Sequence, residues 1–398
     1  MTLRLLHVFA WAAAAVAAPA MAQHAAPAGT QQSVRAVDAQ AVVRHHAQLV
    51  HAGYEDSLNG AVALQRALRS FTSAPSSATL EAARKAWLQA REVYGQTEAF
   101  RFYGGPIDDE NGPEGRINAW PMDESFVDSV KDRLDAGLIN DRKQPITKKN
   151  LAAHNERGGE ENIATGWHAI EFLLWGQDFN DDGPGQRTHE DFVDGKAPNA
   201  DRRRQYLTVA ADLLVDDLRS VLQAWKPGAK NNYRAAFERG GNESLRKVFV
   251  GIGTLSRGEL AGERLEVALA SQDQEDEHSC FSDNTHRDVV ANALGIQNVW
   301  LGHYKRTDGT VVSGPGLREL VAASDATLAE RTTRQIAASL AAAEAIRAPF
   351  DREIVGGKDA PGRARVQKTV DSLTQQSKDL VEAANAVGIA RLTVTLPE

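Results

Sequence analysis

The sequence predicts an all-α fold, and three observations carry that prediction. Apolar residues recur at three- and four-residue spacing, aromatic residues make up 6% of the chain, and no segment of useful length alternates with the two-residue period of a strand. The segment from Ala200 to Trp225 is the cleanest helix: Leu207, Ala211, Leu214, Leu218, Val221, Leu222 and Trp225 fall on one face, and Lys226-Pro227-Gly228 ends it. Further single stripes are formed by Ala61, Leu64, Leu68 and Phe71, by Leu328, Ile336, Leu340 and Ala343, and by Val366, Val370, Leu373, Leu380 and Val381. Three segments, Gly104 to Trp120, Gln177 to Asn199 and Tyr304 to Pro315, are long for connections in a helical bundle, and loops of that length line sites or move. A domain break is expected near Pro227, dividing residues 34–226 from 227–398.

The first residues read as an export signal. Arg4 precedes an apolar run from Leu5 to Ala18, and Ala20-Met21-Ala22 is a small-x-small cleavage pattern. Residues 1–22 are therefore expected to be removed near Ala22, with 23–33 a flexible leader and the mature chain periplasmic or secreted. The run is too short for a permanent membrane span, and no later segment approaches ~20 apolar residues. The single cysteine, Cys280, permits no internal disulfide. With 45 basic and 53 acidic residues the formal charge is −8, and the largest basic patch is Arg202-Arg203-Arg204. Nucleic acid is an improbable partner for such a surface.

Chemistry concentrates in three segments. In Gly166-Trp167-His168-Ala169-Ile170-Glu171-Phe172-Leu173-Leu174-Trp175-Gly176, i, i+3 spacing places His168 and Glu171 on one helical face. Chance supplies one or two such pairs at this composition, so spacing alone decides nothing. The apolar residues on nearly every side carry the information: the helix should be buried, and a buried ionised glutamate must be paired, hydrogen-bonded or bound to a metal. Mutual satisfaction of His168 and Glu171, or pairing with an arginine such as Arg101, stands at even odds with a metal. The second segment places Arg91, Tyr94, Glu98 and Arg101 on one stripe, a pattern more often a solvated or ion-paired face than a site. The third, Asp273 to His286, is rich in potential ligands, but most acidic runs are solvated loops. Its Glu275 and His278 have the Glu-x-x-His spacing of di-iron bundles without a second copy. Gly258 and Gly262 flank Glu259 in an apparent helix, at a cost that tight helix contact can offset. No His-Glu-x-x-His, phosphate-binding glycine loop or Gly-x-Ser-x-Gly elbow occurs.

Gly166-x-His168-x-x-Glu171 resembles the signature of the imelysin-like family, and similar matches cover Gln96 to Pro106, Arg116 to Pro121, His154 to Gly159, and Gln272 to Asp288. The chain is similar to the iron-regulated branch of that family over nearly its whole mature length. The resemblance implies two packed helical domains resembling four-helix bundles, with the His168/Glu171 helix facing a cavity between them. It also implies an envelope location and a part in iron uptake, with an envelope iron-transport component as a possible partner. The family takes its name from a metallopeptidase, so hydrolysis is the competing implication. Catalytic zinc favours three histidine-rich ligands and an open position with a water-activating base. One histidine with several carboxylates suits iron better than zinc, and no base is identifiable. The expected metal ligands are His168, Glu171 and Glu98, with Arg101, Tyr94, His278 and Asp283 around them. A periplasmic receptor for an anionic or sugar ligand is a third reading without a motif behind it.

Overall fold

The computed structural model describes residues 38–390 and Leu392. The expected signal and leader, residues 1–22 and 23–33, lie outside the described residues. Eight long helices organise the remainder: α1 (Ala39–Ser73), α2 (Ser77–Thr97), α3 (Gly166–Trp175), α4 (Ala200–Ala224), α5 (Asn242–Thr254), α6 (Thr285–Leu301), α7 (Ala326–Glu344) and α8 (Pro361–Ala386). Their starts follow from local chemistry. The Asp38 carboxylate accepts from Gln40 N–H at the head of α1, and Ser76 and Thr79 satisfy each other's backbone N–H groups at the head of α2. The stripe read for α4 is buried along its length, as are the core positions of α1.

Two helix clusters result. In the first, α1 packs on α2 and α4, and α3 lies against α2 and α4. In the second, α8 packs on α7 and α5, and α6 packs on α7. The contact of α2 with α6 joins them, and both belong to one compact unit, Ala36–Glu398. Among the described residues, no helix is long and apolar enough to cross a membrane.

Two local features depart from a plain helical reading. The expected loop from Tyr304 to Pro315 holds most of a small antiparallel hairpin, His303–Lys305 paired with Val311–Ser313. Strands of three residues are too short for an alternating pattern to register in sequence. Beyond α5 the chain continues through Leu255–Glu266 with the wider winding of a π-helix. Gly258 and Gly262 are both buried in this stretch, which packs on α8 and α6. Such windings often accompany functional sites, and this one presents Arg264 and Glu259 to the clusters' seam.

Candidate functional site

Gly166 sets the entry of α3. Its φ is +84°, and a Cβ there would lie 2.4 Å from the Ile117 carbonyl oxygen, so only glycine admits this approach. The Thr165 hydroxyl donates to the Arg116 carbonyl at 2.9 Å, fastening the helix start to the short helical turn Glu114–Ile117. All ten residues of α3 are buried. His168 and Glu171 meet at 2.8 Å between Nδ1 and Oε2. The other Glu171 oxygen accepts from the Ser282 N–H at 3.0 Å and from its hydroxyl at 2.6 Å. Burial pushes Glu171 up to about 8 despite the Ser282 hydrogen bonds, and burial together with the nearby His278 and Arg91 pushes His168 well down. The pair is therefore neutral near pH 7, with one proton on the carboxyl group and one on the imidazole. His168 Nε2 is buried without a hydrogen-bond partner. Trp120 and His278 flank the imidazole, with ring centroids 5.0 and 4.8 Å away.

His278 Nδ1 lies 2.9 Å from Asp288 Oδ2, which also accepts from Arg91 at 2.8 Å and from the Ser279 hydroxyl at 2.6 Å. Burial would raise Asp288, but Arg91 and His278 overcome it and hold the carboxyl well below its usual range. The stripe that begins on α2 with Arg91 and Tyr94 and continues past its end to Glu98 and Arg101 is buried and ion-paired rather than solvated. Glu98 Oε2 accepts from Arg101 at 2.6 Å and from Arg264 at 2.7 Å, while Oε1 has no partner. Burial works against ionisation of Glu98, yet the two guanidinium groups bring it down to about 2. Arg101 also pairs with Glu114, and Arg264 with Glu259 and Asn292. The Tyr54 and Tyr94 hydroxyls and Asn118 Nδ2 are further buried polar atoms without partners. Each such atom costs about 1–3 kcal/mol if left unsatisfied, and together they make this seam a polar interior.

Asp283 lies elsewhere. Among the described residues, the one group of three acidic, histidine or cysteine side chains whose ligand atoms all lie within 4.8 Å of one another is Asp178, Asp283 and Asp351. His168, Glu171 and Glu98 are not such a group. All three aspartates are buried, and burial raises each, Asp283 to about 8 with Asp351 and Asp178 adding to the push. The acidic run Asp273 to His286 is thus divided: Glu275 is exposed as expected, whereas Glu277 to Thr285 are buried. The sequence reading missed Asp178, Asp351, Glu277, Ser282 and Asp288. For Asp178 a signal existed, the Asp-x-Asn-x-Asp-Gly spacing of residues 178–183; for Asp351 there was none.

Fold and site together define an all-helical protein with a buried histidine–carboxylate pair set in an arginine-balanced seam. The family model described as Imelysin (Peptidase_M75) matches residues 50–380. Iron-regulated protein A of Synechococcus elongatus is 28% identical over 348 residues, 84% of each chain. Two solved structures share the fold. One, from Parabacteroides distasonis and assigned to the iron-regulated protein A precursors, has a TM-score of 0.68 at 17% identity, covering 88% of this chain and 95% of that one. The other, an imelysin-like protein from Psychrobacter arcticum, has a TM-score of 0.63 at 16% identity, covering 90% and 98%. This chain belongs to the imelysin family.

Proposed function

We propose that this chain is an iron-binding protein of the cell envelope, with iron as its cargo and His168 Nε2 as the anchoring ligand. The observation that carries the reading is a fully buried imidazole whose Nδ1 is tied to a carboxyl group while Nε2 has no partner. Metal-binding histidines are held in this way, because a carboxylate on one ring nitrogen fixes the tautomer and raises the basicity of the other. Glu171, expected as a direct ligand, acts in this reading through His168, since both of its oxygens are already engaged. Glu98 and His278 are the further ligands proposed, with Arg101 and Tyr94 beside them; with His168 their ligand atoms do not all lie within 4.8 Å of one another, so the metal must draw them together. Metal binding then releases the proton that burial otherwise keeps on the pair. The names of the iron-regulated relatives support the choice of iron.

The family model's peptidase name keeps hydrolysis as the competing reading. Hydrolysis needs a base free to activate water, and the hydrogen bonds that occupy Glu171 weigh against it. The reading also includes removal of residues 1–22, two bundle-like domains over 34–226 and 227–398, and delivery of iron to an envelope transport component.

Calorimetric titration of iron and zinc into the mature chain and its His168→Ala variant tests the proposal, with circular dichroism as the fold control. The variant should bind iron at least tenfold more weakly, about 1.4 kcal/mol, with an unchanged spectrum. Equal iron affinity in both proteins would end the reading. Metal-dependent cleavage of unfolded polypeptide, abolished by the same substitution, would favour the peptidase instead.

A further inference from the structure

We infer that Asp178, Asp283, Asp351 and Glu277 form a second cation site, specific for calcium and separate from the His168 site. Three independent features of the cluster support it. First, the three aspartate ligand atoms all lie within 4.8 Å of one another, close enough for one calcium with oxygens at about 2.4 Å to touch all three. Second, Glu277 points into the same place. Its side chain is fully buried, its carboxyl lies beside that of Asp351, and neither oxygen has a hydrogen-bond partner, the nearby Thr285 hydroxyl not meeting hydrogen-bond geometry. Asp178 Oδ2, Asp283 Oδ1 and both Asp351 oxygens are likewise buried and meet no other donor, Asp178 facing Asp283 and Asp351 facing Glu277. Third, among the described residues no arginine or lysine forms an ion pair with any of the four. Arg352, next in the chain to Asp351, is turned to Asp182 instead. Four carboxyl groups buried this closely must keep their protons or share a cation.

The local chain is arranged to aim these oxygens inward. Directly after α3, the Asn180 N–H and side-chain amide donate to Asp178 Oδ1 at 2.9 and 3.1 Å, which leaves Oδ2 for the cluster. Residues Asp178 to Gly183 carry the Asp-x-Asn-x-Asp-Gly spacing that opens a calcium loop. They depart from the full loop, because the twelfth position is His189 rather than a glutamate and Asp182 faces Arg352. The missing ligands come instead from remote segments, Glu277 and Asp283 on one and Asp351 on another. Asp351 borders a surface cleft of about 820 Å³, which gives an ion a way in.

Chemistry selects the ion. All four ligands are carboxylate oxygens, without nitrogen or sulfur, which favours hard cations over zinc or copper. Calcium accepts six to eight oxygens in irregular geometry, whereas magnesium demands a near-ideal octahedron and keeps its waters. Ser282, which holds Glu171, and Asp283, a ligand here, are adjacent in sequence, so the two sites share a segment but no ligand.

The test is calcium titration of the full mature chain by calorimetry at pH 8, with melting temperature read in parallel and magnesium at equal ionic strength as control. One calcium should bind and raise the melting temperature, with a smaller rise for magnesium. Asp351→Asn and Glu277→Gln should each weaken calcium at least tenfold, and His168→Ala should bind calcium as the parent does, which keeps this result independent of the iron proposal. Because an amide also relieves repulsion, Asp351→Asn should melt above the parent in the absence of calcium, so loss of binding is not loss of fold. No calcium binding by the parent chain, parental affinity in both acid variants, or a larger response to magnesium overturns the inference.

Discussion

Two buried regions of the protein treat their carboxylates in opposite ways. Along the seam, Glu98 and Asp288 are ionised because Arg101 and Arg264 hold the one and Arg91 the other. Around Asp178, Asp283, Asp351 and Glu277 the carboxyl groups are also buried but have no such partner, and burial raises all four. Burial alone therefore does not set the charge of a carboxyl group; the counter-charge within about 4 Å does. In the first region the protein supplies that counter-charge from its own arginines. In the second it leaves the counter-charge to come from solution.

The largest expected effect tests the arginine-balanced side. Arg264→Met strands Glu98 and Glu259 beside one remaining arginine and should lower stability by ~3–5 kcal/mol, the usual result of breaking a buried pair. Urea unfolding measures it. A loss below about 1 kcal/mol would mean that the seam is not balanced by this residue, and the contrast with the acidic cluster would fail.

A smaller effect concerns the neutral pair between the two regions. Glu171→Leu removes the group that orients His168 without touching Nε2, and iron affinity should fall about 10–100-fold, the range for loss of such a supporting carboxylate. Calcium affinity should hold. An iron affinity as high as the parent's would show that His168 needs no orienting partner.

The smallest effect compares His168 with a buried histidine that has no carboxylate. His46 packs between Phe100 and Phe237 with neither ring nitrogen partnered. Burial, then the nearby His45, pushes it down to about 3. In the unfolded chain it titrates near 6.5, so below that pH the unfolded state takes up a proton that the folded state refuses. The stability contributed by neutral His46 is complete above about 6.5 and is lost as pH falls toward about 3, amounting to about 2 kcal/mol by pH 5. Unfolding free energies at pH 7 and pH 5 should differ less in His46→Phe than in the parent chain. An identical difference in both proteins would assign the acid sensitivity to other groups.

What could be read from the residues follows the range of the interactions involved. The helices were legible because a 3.6-residue period is local, and α4 appears with its expected stripe buried. The pairing of His168 with Glu171 was one of two readings that the i, i+3 spacing and apolar surroundings left open, and the structure brings the two together. Arg101, the other partner considered for Glu171, instead holds Glu98 and Glu114.

By itself, then, the sequence determined an all-helical chain and a histidine and glutamate facing one another on a buried helix. It could not determine what meets them. Ser282 reaches Glu171 across 111 residues, Arg91 reaches Asp288 across 197, and the acidic cluster draws on positions 178, 283 and 351, with Glu277 beside Asp351. The acidic run shows the limit most directly: Glu275 and Glu277 are two residues apart, yet one is exposed and the other fully buried. Nothing in their immediate neighbours distinguishes them. Desolvation and counter-charge are set by whichever segments pack nearby, and that was decided only by the tertiary structure.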